Sequence, residues 1–145
     1  MALQALNPAT GETVRTYDEM TPAAVREAID QADTTFQDWK HTTFAERARV
    51  MQRAAHMLRE HANEYAVLMT QEMGKPIRDG RAEAEKCAWV CEYYAEQAEA
   101  FLQPEIIPTD ASKSFVTFQP LGVVLAVMPW NFPDSTGFSG KNSTC

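Results

Sequence analysis

Pro129-Trp130-Asn131-Phe132-Pro133 is the segment whose residue types are best suited to chemistry. Two prolines restrict the backbone on either side of Asn131, so its side-chain amide keeps little freedom. A fixed amide N–H₂ can donate to an oxygen that gains negative charge when a carbonyl is attacked. The same residue types also suit a rigid turn, with Trp130 filling a core gap and Asn131 satisfying local backbone. Cys87 and Cys91 stand at a helical i, i+4 spacing that holds a metal when further ligands converge. They share an apolar stripe with Ala84, Ala88, Tyr94 and Ala95, so they are read as core thiols and no metal site is expected. Cys145 is the last residue of a polar tail, with no base nearby, and its activation to a thiolate is not expected. His41 falls between helices, and the spacing of His56 and His61 does not suit one helix face. All three read as surface or boundary residues. Glu83, Glu85, Glu92, Glu96 and Glu99 read as a solvated helix face. No Gly-x-Gly-x-x-Gly loop is present to cradle a phosphate.

The elements that must position these residues are mostly helical. Thr21 before Pro22 supplies a cap hydroxyl and a proline at the first helical position, and Val25, Ile29, Ala32, Phe36 and Trp39 follow as one apolar stripe. Thr43-Phe44-Ala45-Glu46 has the form of a capping box, with Val50, Met51, Ala54, Met57 and Leu58 inward. Asn63 is placed to cap a third helix, with Tyr65, Leu68, Met69 and Met73 inward, and Gly74-Lys75-Pro76 stops it. A fourth helix is expected from about Arg78 to Leu102. The period then changes: residues 114–119 are β-branched and aromatic, which predicts a strand. Val123 to Met128 is an unbroken apolar run between Gly122 and Pro129, as in a strand covered on both faces of a parallel sheet. Ligands of open α/β sheets bind beyond the carboxyl ends of strands, and the Asn131 loop would leave this strand at that end. Residues 134–145 are small and polar and are expected to be a disordered tail.

Charge and composition narrow the field. The chain has 145 residues, 45% of them hydrophobic, enough for a packed core. Its 13 basic and 20 acidic residues give a formal net charge of -7, which argues against nucleic acid or an anionic membrane surface as partner. The first residues lack the charged and apolar regions of a signal peptide, and the longest apolar run is too short for a bilayer. An odd number of cysteines without paired spacing fits a reducing compartment, so a cytoplasmic location is expected.

Pro120-Leu121-Gly122, the apolar run and the Pro-Trp-Asn-Phe-Pro loop together resemble the aldehyde dehydrogenase superfamily. Asn7-Pro8-Ala9-Thr10-Gly11-Glu12 is similar to its opening strand and turn, and Glu72-Met73-Gly74-Lys75-Pro76 to a helix-ending motif. Met73 to Pro76, Tyr93-Tyr94-Ala95-Glu96 and Phe118 to Gly122 look most like bacterial succinate-semialdehyde dehydrogenases. The resemblance implies an α/β fold: an N-terminal helical portion and the first strand of a Rossmann-like cofactor-binding domain, incomplete over residues 1–133. It also implies a reaction. A cysteine thiolate attacks the aldehyde, hydride passes to NAD or NADP, and a glutamate activates water to release the acid. By the same resemblance Asn131 is the oxyanion donor, and Val127, Met128, Pro129 and Trp130 line the cofactor side. Phe132 would border the substrate tunnel, and residues 114–119 would form a strand of the oligomerisation region.

The family's nucleophilic cysteine and its glutamate lie far beyond this loop and have no counterpart here. After Pro133 the family continues into an apolar helix, whereas this chain has Asp134-Ser135-Thr136. The expectation is therefore a truncated piece of an aldehyde-oxidising enzyme, inactive alone and doubtful as a cofactor binder. The alternative is an interaction fragment that pairs with a complementary fragment or with full-length subunits. A free-standing helical binding domain is a third reading, and it predicts cooperative unfolding in isolation.

Overall fold

The computed structural model describes residues 3–128. The chain opens with a hairpin, β1 (Leu3–Leu6) and β2 (Thr13–Tyr17), paired antiparallel with Leu3 opposite Tyr17 and a register shift between Ala5 and Leu6. Its turn is made by Asn7, whose side-chain oxygen accepts from the Ala9 N–H at 2.9 Å, and by Gly11, whose φ of 75° favours glycine. The Tyr17 hydroxyl and the Glu72 carboxylate meet at 3.3 Å, tying the hairpin to the third helix.

Four helices follow: α1 (Pro22–Trp39), α2 (Phe44–Glu60), α3 (Ala62–Met73) and α4 (Ile77–Phe101). Two of the predicted starts form as expected. The Thr21 hydroxyl accepts from the Ala24 N–H at 3.2 Å, and Thr43 and Glu46 close a reciprocal capping box. Gly74 ends α3 in the left-handed conformation at φ 75°.

The third helix start differs from expectation. It begins at Ala62, directly after His61 ends α2, and it has no side-chain cap. Asn63 already lies inside the helix, and its side-chain oxygen accepts from Arg81 Nε at 3.0 Å instead. Leu68, expected inward, is 47% exposed, because Ala66 and Met69 turn that part of α3 toward α4.

The core is built from small residues. Ala55 of α2 meets Ala88 and Cys91 of α4, with Met51, Ala54 and Leu58 packed around them. On the α3 side, Gly80 of α4 lies so close to Ala66 that an added Cβ would sit 2.9 Å from the Ala66 Cα. Alanine, glycine and cysteine let the helix backbones approach, which is why the core is compact yet contains few large side chains. Arg59 of α2 straps the outside, hydrogen-bonding Glu92 through Nη2 at 2.7 Å and through Nη1, and reaching Glu85 at 3.2 Å. Helix α1 contributes no buried residue, and Val25, Ile29 and Trp39 of its stripe stay exposed.

After α4 come two short strands, β3 (Glu105–Ile106) and β4 (Phe115–Val116), paired antiparallel. The strand expected over residues 114–119 thus forms a ladder only at Phe115–Val116. Val123 to Met128 forms no strand, contrary to expectation. A strand exists by its hydrogen-bonded neighbours, and among the described residues no other segment lies beside this run to supply them.

Candidate functional site

The segment that enters the candidate site begins after β4. Pro120 and Leu121 lead to Gly122, whose φ of 108° is a conformation that L side chains rarely adopt, with open space where a Cβ would stand. The apolar run then leaves with Val127 84% exposed and Met128 also exposed. Asn131, Pro129, Trp130 and Phe132 lie outside the described residues, as do the tail at 134–145 and Cys145. Of the expected cofactor side, only Val127 and Met128 are described.

Beside Pro120-Leu121-Gly122 the helices leave a groove of about 380 Å³, bounded by the end of α1, α2 and α4. Phe36 and Trp39 line it from α1, Phe44 and Met51 from α2, and Tyr94 and Leu102 from the α4 side. Its lip carries both signs of charge, from Lys40 and Arg47 and from Glu96 and Glu99. Arg47 is held where it stands: Nε donates to the Thr42 hydroxyl at 2.9 Å, and the guanidinium lies 5.7 Å from the Phe44 ring centre and 5.9 Å from that of Trp39. Phe36, Trp39, Met51 and Tyr94 belong to the helical stripes, which read them as core, whereas Phe44 and Leu102 lie outside those stripes. What sequence periodicity could not reveal is that α1 leaves the groove open.

The remaining candidates sort cleanly. Cys87 and Cys91 are fully buried and form no disulfide. Burial, then the nearby Glu92 charge, pushes the Cys91 thiol up from its ordinary value, the reverse of what a nucleophile needs. His41 and His56 are exposed, His56 facing Glu60 at 3.8 Å. His61 meets Glu64 at 3.2 Å and the edge of Tyr65. Among the described residues, no group of histidine, cysteine, aspartate and glutamate side chains converges as a metal site.

The acidic face needs one correction. Glu83 is 5% exposed and forms a buried ion pair with Lys75, so it is not part of a solvated face. The pair closes across the Gly74-Lys75-Pro76 turn, where the Lys75 carbonyl also accepts from the Thr70 hydroxyl at 2.7 Å. Nothing in the sequence separates Glu83 from Glu85, because only the packing of α4 decides which one faces inward. Glu92 is different again: the Arg59 hydrogen bonds, and then its charge, hold that carboxyl below the ordinary range.

Comparison with known proteins places these features. The aldehyde dehydrogenase family model matches residues 1–138. A Synechocystis protein named as a probable succinate-semialdehyde dehydrogenase [NADP(+)] is 50% identical over 133 residues, covering 92% of this chain and 29% of the relative. A Mycobacterium leprae succinate-semialdehyde dehydrogenase [NADP(+)] is 48% identical over 136 residues, covering 92% of this chain and 30% of its own length. Among solved structures, succinic semialdehyde dehydrogenase from Streptococcus pyogenes in complex with NADP+ superposes with a TM-score of 0.88 at 32% identity. That match covers 93% of this chain and 30% of the Streptococcus chain. The chain therefore spans about 30% of the length of the relatives it matches. No helix among the described residues is long and apolar enough to cross a membrane.

Proposed function

The chain belongs to the aldehyde dehydrogenase family, and from that premise we propose that it supplies the N-terminal part of an enzyme oxidising succinate semialdehyde to the acid with NADP. The observation that carries this reading is the 50% identity to the Synechocystis relative, sustained over 92% of the chain. In it, the Asn131 amide N–H₂ donates to the aldehyde oxygen as negative charge builds there, Phe132 borders the substrate, and Val127 to Trp130 face the cofactor. The buried Cys87 and Cys91, which form no disulfide, suit a reducing, cytoplasmic compartment.

The described residues do not by themselves fit a dinucleotide. Val127 and Met128 offer apolar surface but no charge for a phosphate. The proposed chemistry also needs a cysteine nucleophile and a water-activating glutamate, and neither Cys87 nor Cys91 is available for attack. The 145 residues alone are therefore expected to be inactive. The purified chain, given succinate semialdehyde and NADP, is assayed for reduced nicotinamide; turnover that tracks the chain through purification would overturn the reading. In an assembled enzyme carrying this chain, Asn131→Ala should lower kcat by about a hundredfold or more. A change of less than about threefold would remove Asn131 from the oxyanion role.

The open groove favours a second reading. It offers an apolar surface to other polypeptide, as an interaction fragment would. On that reading the partner is a complementary fragment or a full-length subunit, and the β3–β4 ribbon is a second contact in a homo-oligomer.

A further inference from the structure

We infer that Arg47 is the latch that fixes the angle of α1 against the other helices, and that α1 is an arm hinged at Thr43. Core packing does not set that angle. Helices α2 and α4 interlock through Ala55, Ala88 and Cys91, whereas α1 buries no residue and leaves Val25, Ile29 and Trp39 exposed.

The joint between α1 and α2 is closed on each side separately. At the end of α1, the Thr42 N–H and hydroxyl both donate to the Trp39 carbonyl, at 3.0 and 2.7 Å. At the start of α2, Thr43 and Glu46 satisfy each other in the capping box. Thr43 itself stands between them in an extended conformation, with φ -74° and ψ 158°. Rotation at such an element-terminal residue turns one helix against the next.

Arg47 crosses this joint. From the first turn of α2 its Nε donates to the Thr42 hydroxyl at 2.9 Å, and its Nη2 reaches the Lys40 and Trp39 carbonyls at 3.3 and 3.4 Å. The guanidinium also lies against one ring from each side, Trp39 of α1 and Phe44 of α2. Helix α1 has no basic residue in its own last turn, so α2 supplies the positive charge beside its terminal carbonyls. A planar fork serves several acceptors at once while lying flat on aromatic rings, which an ammonium cannot do. Phe36 and Trp39 are the α1 wall of the groove, so the latch also sets how wide the groove stands. Neither hinge nor latch depends on the proposed oxidation.

The test places spin labels at Glu27→Cys on α1 and Lys86→Cys on α4, two exposed positions, in the full chain with Cys145→Ser; Cys87 and Cys91 are buried. Pulsed dipolar spectroscopy then reads the distribution of distances between the labels. The otherwise unaltered chain should give a narrow distribution, and Arg47→Ala should broaden it about twofold or more. Arg47→Lys, which keeps the charge and loses the fork, should fall between them. Arg59→Ala, which removes a strap from α2 to Glu85 and Glu92 of α4, should leave the width unchanged. Circular dichroism checks helix content, and if Arg47→Ala loses helix the comparison rests on Arg47→Lys. An unaltered chain as broad as Arg47→Ala, or an Arg47→Ala chain as narrow as the unaltered one, would overturn the latch. Equal broadening by Arg59→Ala would also overturn it, by showing general loosening. Arg47→Lys as narrow as the unaltered chain would overturn the forked geometry.

Discussion

Gly80→Ala is a substitution in which two helical effects oppose each other and the geometry decides the sign. In an isolated helix, alanine is favoured over glycine by about 1 kcal/mol. In α4, however, the new Cβ would stand 2.9 Å from the Ala66 Cα, 3.1 Å from its Cβ and 3.4 Å from its carbonyl oxygen. The nearest atom is backbone, so no rotamer change relieves it, and α3 must retreat by about 0.5 Å to reach ordinary contact. Such overpacking costs about 1–3 kcal/mol. The midpoint of that range leaves a net loss of about 1 kcal/mol. With a urea slope of about 1–3 kcal/mol per molar, the unfolding midpoint falls by about half a molar. Circular dichroism during urea titration measures it. The same substitution in an Ala66→Gly background should cost less, because the Cβ contact is gone, yet should not become stabilising, because the Ala66 Cα remains. A Gly80→Ala chain as stable as the parent, or more stable, would show that propensity outweighs packing and that the close approach of α3 to α4 is not tight.

In a Cys145→Ser background, Cys87 and Cys91 should resist a soluble disulfide reagent until urea unfolds the chain, and rapid native-state labelling would contradict their burial. Folding favours the protonated Cys91 thiol, so this contribution is complete below its ordinary value of 9.0 and is lost as pH rises through the raised value. The urea midpoint should therefore fall in alkali for the parent and less so for Cys91→Ala. At the start of α2, Thr43→Ala should destabilise the chain by about 1 kcal/mol at neutral pH. Glu46 is held below its ordinary 4.5 first by the Thr43 backbone N–H and then by the Thr43 hydroxyl. Its contribution is thus present above 4.5 and lost as pH falls through the lowered value, so the gap between parent and Thr43→Ala should narrow in acid. A gap that stays constant to pH 3 would remove the carboxylate from the cap.

What the sequence made legible was local. The capping box at Thr43 and Glu46, the Gly74 stop and the inward cysteines follow from neighbours within one or two turns, and each stands where its spacing placed it. Features decided by distant partners were not legible. Asn63 has the chemistry of a cap, but helix contact through His61 starts α3 earlier and hands its oxygen to Arg81. Glu83 is indistinguishable from its acidic neighbours until α4 docks and brings it to Lys75. Val123 to Met128 has the composition of a buried strand, but composition supplies no hydrogen-bonding neighbour. Asn131, with Pro129, Trp130 and Phe132, lies beyond the described residues and stands as read from the sequence.

The small-residue core has a consequence for synthesis. Its helices all fall within residues 44–101, so the packing of Ala55 with Ala88 and Cys91, and of Gly80 with Ala66, needs no residue beyond α4. The unit can condense as soon as α4 clears the ribosome, without waiting for any later residue. The walls that α2 and α4 give the groove are then in place before Pro120 to Gly122, which complete its lining, are made.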